Sequence, residues 1–197
     1  MTVRAFAFML LMLLLLVNTA AYADGFFDNL AKQAEERTKH RVIYDGSYYK
    51  IAYPNGDVPE NKGVCTDVVI RSYRTLGYDL QKSVHEDMKT HFAAYPSQRL
   101  WGLTATDTNI DHRRVPNLQV FFRRNGIELP VTHNPADYKP GDLVTWRLPG
   151  NLPHIGIVST KRNGANPLIV HNIGAGPQIQ DMLFKYPITG HYRYKPY

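Results

Sequence analysis

The sequence predicts an α+β fold in which N-terminal helices pack on a C-terminal antiparallel sheet. Two observations carry this. Apolar residues recur at helical spacing as far as Asn125, and beyond it the period changes to two. Length agrees: 197 residues less a 23-residue leader leave 174, enough for one domain, 24–197, with a core of its own.

Residues 1–23 read as a signal peptide. Arg4 supplies the positive start, Ala5 to Val17 the apolar run, and Ala21-Tyr22-Ala23 the small-x-small cleavage site. The apolar run is shorter than the roughly 20 residues a bilayer needs, so release after Ala23 is expected, with no stable membrane anchor afterwards. The expected location is the periplasm or the medium. GFFDNLAKQAEERTKH (25–40) has Phe27, Leu30, Ala31 and Ala34 on one helical stripe. Residues 42–63 are extended and turn-rich, with Asn55-Gly56 as a turn signal. A second helix starts at Cys65 and runs to Leu76, with Gly77 as its stop. Helices are expected at 83–94 and at 115–125, the latter with Pro116 near its start and Gly126 at its end. LVTW (143–146), HIGIVS (154–159), PLIVHN (167–172) and HYRY (191–194) read as strands.

The mature chain holds 22 Lys and Arg against 17 Asp and Glu, a net charge of +5. That suits an anionic surface such as a bacterial wall. The basic residues are scattered and the chain is exported, so nucleic acid is not expected as a partner. Thirteen Tyr, thirteen Pro and fourteen Gly suit a loop-rich domain with polar grooves.

Cys65 is the only cysteine, so no internal disulfide is possible. The thiol pairs with another chain, sits inert in the core, or reacts. Its place at a helix start favours the thiolate and lowers the thiol pKa, an effect Asp67 opposes if its carboxylate faces the sulfur. His154 opens an otherwise apolar strand, IGIV, where a neutral imidazole within reach of a thiol takes its proton. Asn163-Gly164 reads as a two-residue hairpin turn. That register sets His171 opposite Gly156, diagonal to His154 on the same face, and turns Asn172 to the other face. His171 is then the orienting third group; a slip of one residue promotes Asn172 instead. His112, in NIDHRRVPN, either lines a cleft or lies in a solvated loop. HEDM (85–88) lacks the second histidine of a zinc helix, and no Gly-rich phosphate loop is present, so neither metal nor cofactor is expected.

The order of a helix-capping Cys65, KPGDLVTW (139–146), HIGIV (154–158) and a histidine on the next strand resembles the papain-like, NlpC-type cell-wall cysteine peptidases and amidases. The stretches GVCTDVVIRSYR, NIDHRRVPNLQ, LPGNLPHIGIV and LIVHNIG more specifically resemble an exported bacterial family known as domain of unknown function 1287. The resemblance implies a papain-like fold and puts the nucleophile, base and third residue on Cys65, His154 and His171. It also implies hydrolysis, through an acyl-enzyme, of an amide bond in peptidoglycan or its stem peptides by a monomer. One departure is clear: NlpC-type motifs have Asp before the cysteine and Ser-Gly after it, whereas Val64 precedes Cys65 and Thr66-Asp67 follow. The candidate substrate contacts are Thr66, Asp67, Trp101, His112 and Arg113. The competing readings are a non-catalytic wall-binding module using Trp101, Tyr95, Arg113 and Arg114, and a cysteine acyltransferase.

Overall fold

The computed structural model describes residues 25–196, so the expected leader lies outside the described residues. Helix α1 (25–37) buries Phe27, Leu30, Ala31 and Ala34, the stripe its spacing anticipates. Strands β1 (Ile43–Tyr44) and β2 (Lys62–Gly63) form a small parallel pair beside the start of α2 (Cys65–Thr75). Helix α3 (Leu80–His91) begins three residues earlier than expected because the Asp79 side chain accepts the Gln81 N–H as an N-cap. Helix α4 (Ser97–Trp101) has only five residues, too few to leave a periodic signal. Helix α5 (Val115–Asn125) has the expected bounds.

The remaining strands are β3 (Ile127–Glu128), β4 (Leu143–Leu148), β5 (Leu152–Asn163), β6 (Asn166–His171), β7 (Gln178–Gln180) and β8 (Ile188–Arg193). They make one antiparallel sheet in the order β3-β8-β4-β5-β6-β7. The fold is α+β, with the helices first and the sheet after. Two-residue alternation gives the sheet two apolar faces. Leu143, Ile155, Ile157, Val170 and Tyr192 pack against Val69, Tyr73, Leu118, Phe121 and Phe122 of α2 and α5. Val144, Trp146, Val158 and Ile169 face the other way, under Tyr138, Met182 and Leu183. Each such side chain contributes about 1.5–3 kcal/mol on burial, so the helix layer is held chiefly by this contact.

The Pro-Gly-Asp turn before β4 is a latch. A Cβ at Gly141 (φ 81°) would collide with the Phe27 carbonyl, so this position admits only glycine and α1 sits directly on it. Asp142 is fully buried; its Oδ2 accepts the Lys139 N–H at 2.9 Å and faces His191 Nε2 at 2.7 Å, while Arg193 Nε lies 3.2 Å from Oδ1. Asp142→Ala would leave His191 and Arg193 without their anion. A loss of about 3–5 kcal/mol in urea unfolding is expected, and a loss below about 1 kcal/mol would show that the latch is dispensable.

Candidate functional site

The start of α2 is anchored by a buried ion pair. Val64 is the extended N-cap residue, and Asp67 Oδ2 accepts its N–H at 2.7 Å. Arg113 closes a two-pronged contact on the same carboxylate, Nε to Oδ1 at 2.9 Å and Nη2 to Oδ2 at 3.0 Å. Arg113 also donates to the Ser47 and Asp45 carbonyls, and Thr66 Oγ1 donates to the Arg113 carbonyl. This corrects three expected substrate contacts. Thr66, Asp67 and Arg113 are buried and hydrogen-bonded to one another because two charges withdrawn from water must be paired. They tie α2 to the 45–47 and 111–113 segments. His112 is corrected too: it is buried, not cleft-lining, and its Nδ1 is without a partner among the described residues. Trp101 is half-exposed, with the Arg114 guanidinium 4.2 Å from its ring centroid.

Cys65 is the first residue of α2 and is 5% exposed. Burial pushes its thiol up to about 11, and the Asp67 charge adds to the rise. The backbone N–H groups of Ile155, Thr66 and Cys65 itself face the sulfur and pull the other way. The expected net lowering does not hold, because withdrawal from water outweighs the helix-start dipoles.

His154 Nε2 lies 3.0 Å from His171 Nδ1, and His171 Nε2 lies 2.9 Å from Gln180 Oε1. Gln180 Nε2 donates to Gln178 Oε1 at 2.8 Å, which leaves Gln180 Oε1 toward the imidazole. A carbonyl oxygen only accepts, so His171 carries its proton on Nε2 and accepts on Nδ1. His154 therefore carries its proton on Nε2, and its Nδ1 lone pair is left free. Burial pulls His154 down to about 3, helped by the neighbouring His171, and burial also lowers His171. Both rings are neutral at rest. By alternation they lie on the Val158 and Ile169 face, with the Trp146 ring 6.0 Å from that of His154. The Cys65 sulfur approaches from the helix face onto the Ile155 N–H. The thiol thus meets the N–H of the residue after His154, from the face of the sheet opposite the two imidazoles. Asn172 belongs to the helix face: its Nδ2 donates to Gly63 O at 3.3 Å and its Oδ1 accepts the Gly174 N–H at 3.1 Å.

The register that brings the two histidines together has an unexpected source. The hairpin turn is Gly164-Ala165, flanked by the pair Asn163↔Asn166, one residue beyond the expected turn. Nearer the site the pairs are Val158↔Ile169 and Ile157↔Val170. A bulge between Val158 and Arg162 gives β5 two more residues than β6 over the same stretch, and this sets His171 opposite Gly156. A Cβ at Gly156 would lie 2.7 Å from Ile169 Cγ2 and 3.2 Å from His171 Cβ, so only glycine lets β6 lie this close. Glu35 of α1 occupies the bulge. Its Oε1 accepts from Ser159 Oγ at 2.7 Å, Thr160 N at 2.8 Å and Thr160 Oγ1 at 2.7 Å. Neither Glu35 nor Gln180 stood out in the sequence. Both act across long separations that carry no local pattern.

A cysteine at a helix start on one face of an antiparallel sheet, and a hydrogen-bonded histidine pair on the other, mark this α+β domain. The chain belongs to the family described as a domain of unknown function (DUF1287), which matches residues 31–194. It is 50% identical over 167 residues to a protein of Escherichia coli (strain K12) described as "Uncharacterized protein YijF", covering 84% of this chain and 80% of that one. Among solved structures it is similar to NlpC1 from Trichomonas vaginalis, with a TM-score of 0.46 and 14% identity. That match covers 85% of this chain and 44% of the other, so this chain spans less than half the length of that protein.

Two outcomes follow. Glu35→Ala removes three hydrogen bonds to a charged oxygen and should cost about 1.5–3 kcal/mol. It should also move the imidazole nitrogen NMR signals of His154 and His171, whereas Glu35→Gln, which keeps one carbonyl oxygen, should restore most of both. Unmoved signals in a destabilised Glu35→Ala protein would separate the clamp from the histidine pair. Acid should also destabilise the fold. His154 and His112, each pulled down to about 3 by burial, stay neutral when folded while the unfolded chain protonates near 6.5. Their contribution is complete above pH 6.5 and falls by up to about 1.4 kcal/mol per pH unit each as pH drops toward 3. Asp111, raised to about 6 chiefly by burial, offsets part of this between pH 6 and 4. Urea unfolding at pH 7 and pH 5 should show the loss, and His154→Gln should flatten it.

Proposed function

We propose that this protein is an exported thiol hydrolase that cleaves an amide bond of peptidoglycan, in the stem peptide or where it joins the sugar. Cys65 is the nucleophile, His154 the base and His171 the group that orients it. The observation that carries this reading is the His154–His171 contact at 3.0 Å, beside a sulfur that lies on the Ile155 N–H. The chain Gln180–His171–His154 holds one tautomer and leaves His154 Nδ1 free to accept the thiol proton. As substrate enters, the thiol proton passes to Nδ1 and the sulfur attacks the carbonyl carbon. The imidazolium then protonates the leaving amine, and water, deprotonated by the same ring, releases the acyl group. The wall as substrate rests on the expected leader, the net positive charge and the resemblance to NlpC-type enzymes.

A specific observation favours a second reading, a wall-binding module without chemistry: the thiol is buried and its pKa stands at about 11. Iodoacetamide separates the two. An enzyme's native thiol should still alkylate measurably at neutral pH, though more slowly than a short cysteine peptide because its resting pKa is about 11, and should slow further in His154→Ala. Labelling only after unfolding would end the enzyme reading.

Purified wall digested with the wild type should release muropeptide products that Cys65→Ala does not. His171→Ala should lower turnover by about 10²–10⁴-fold with the fold intact, and Asn172→Ala much less. The reverse order between these two variants would move the orienting role to the amide.

A further inference from the structure

A groove of about 830 Å³ runs between α4, α5 and the β4–β5 hairpin, away from Cys65. Arg99, Arg123 and Arg147 line it, together with Trp101, Trp146 and Gln119, and none of its lining residues is acidic. Among the described residues Arg99 and Arg147 have no carboxylate partner; Arg147 bonds only the Asn151 amide oxygen, at 3.0 Å. Arg123 is held by Glu128 on β3 at 3.0 Å, a half-exposed pair that water screens. The groove closes on Trp146 and Pro153, the cross-strand partner and the chain neighbour of His154.

We infer that this groove is a binding site for an acidic peptide, whose carboxylates are held by Arg99 and Arg147 and whose apolar residues lie along Leu100, Trp101 and Val120. Arginine presents a planar fork that matches a carboxylate in two bonds. The separate placement of the arginines among apolar and amide groups suits a chain with spaced charges. A phosphate polymer, with dense uniform charge, fits a clustered basic stripe instead. The site stands independently of the thiol chemistry, because none of its residues belongs to the Cys65, His154, His171 set.

The molecule carries its own probe: of its two tryptophans, Trp101 is half-exposed in the groove while the Trp146 ring is buried beneath the opposite face of the sheet. Tryptophan emission is titrated with the tripeptide Glu-Ala-Glu, with Gln-Ala-Gln and with inorganic phosphate, on the wild type and on Cys65→Ala. Glu-Ala-Glu should give a saturable change that weakens as salt is raised, equal in both proteins, while Gln-Ala-Gln binds at least tenfold more weakly. Arg99→Gln and Arg147→Gln, both at exposed positions, should each weaken Glu-Ala-Glu by about tenfold with circular dichroism unchanged, the loss of one charge-assisted contact. Equal binding of the two tripeptides, phosphate binding as tight as Glu-Ala-Glu, or indifference to both arginine changes would each overturn the assignment. Inactivity on wall with normal Glu-Ala-Glu binding would sink the hydrolase reading and leave this one standing.

Discussion

The carboxylate of Glu35 accepts three hydrogen bonds from the part of β5 that has left the ladder, and the geometry of the histidine pair follows from that contact. A bulge leaves backbone and hydroxyl groups without sheet partners, and such groups are costly unless satisfied. Glu35 satisfies them from α1, which is itself seated on the Gly141 turn and buried along its apolar stripe. The bulge carries His171 two positions along β5, from beside Val158 to beside Gly156. Because the displacement is two residues, the face does not change, and both imidazoles stay on the side of the sheet opposite α2.

The thiol is governed by a competition of similar kind. Three backbone N–H groups face the sulfur, yet burial raises its pKa to about 11. The Asp67 carboxylate beside it is drawn away by Arg113, which keeps the helix start rigid and limits the anion's effect on the sulfur. Cys65 and His154 are thus both neutral at rest. A preformed thiolate–imidazolium pair would be poorly solvated in such a setting, which is why both groups rest uncharged.

Much of this was legible before any coordinates. The change of period after Asn125 separated helices from strands, and the bounds of α5 followed from Pro116 and Gly126. The shared face of His154 and His171 also followed, though through the wrong turn: Asn163-Gly164 implied the register near the site, while the real turn at Gly164-Ala165 and the bulge together restore it. Local rules see a turn signal but not a compensating bulge, because the bulge is stabilised by a residue 124 positions away. Thr66, Asp67, His112 and Arg113 are buried inside the fold, which local rules miss for a related reason. A polar residue near a candidate nucleophile looks like a substrate contact in one dimension, and only three dimensions reveal that its partners are internal.

The sequence by itself determined the fold class, the single thiol at a helix start and the shared face of His154 and His171, because these depend on periodicity, capping and residue type over a few positions. The tertiary structure decided the tautomer of His154 through Gln180, the pairing of Asp67 with Arg113 and the bulge clamped by Glu35. It also decided the arginine-lined groove beside Trp146. Each of these joins residues far apart in the chain, and their contact energies depend on burial and distance, which no local pattern encodes.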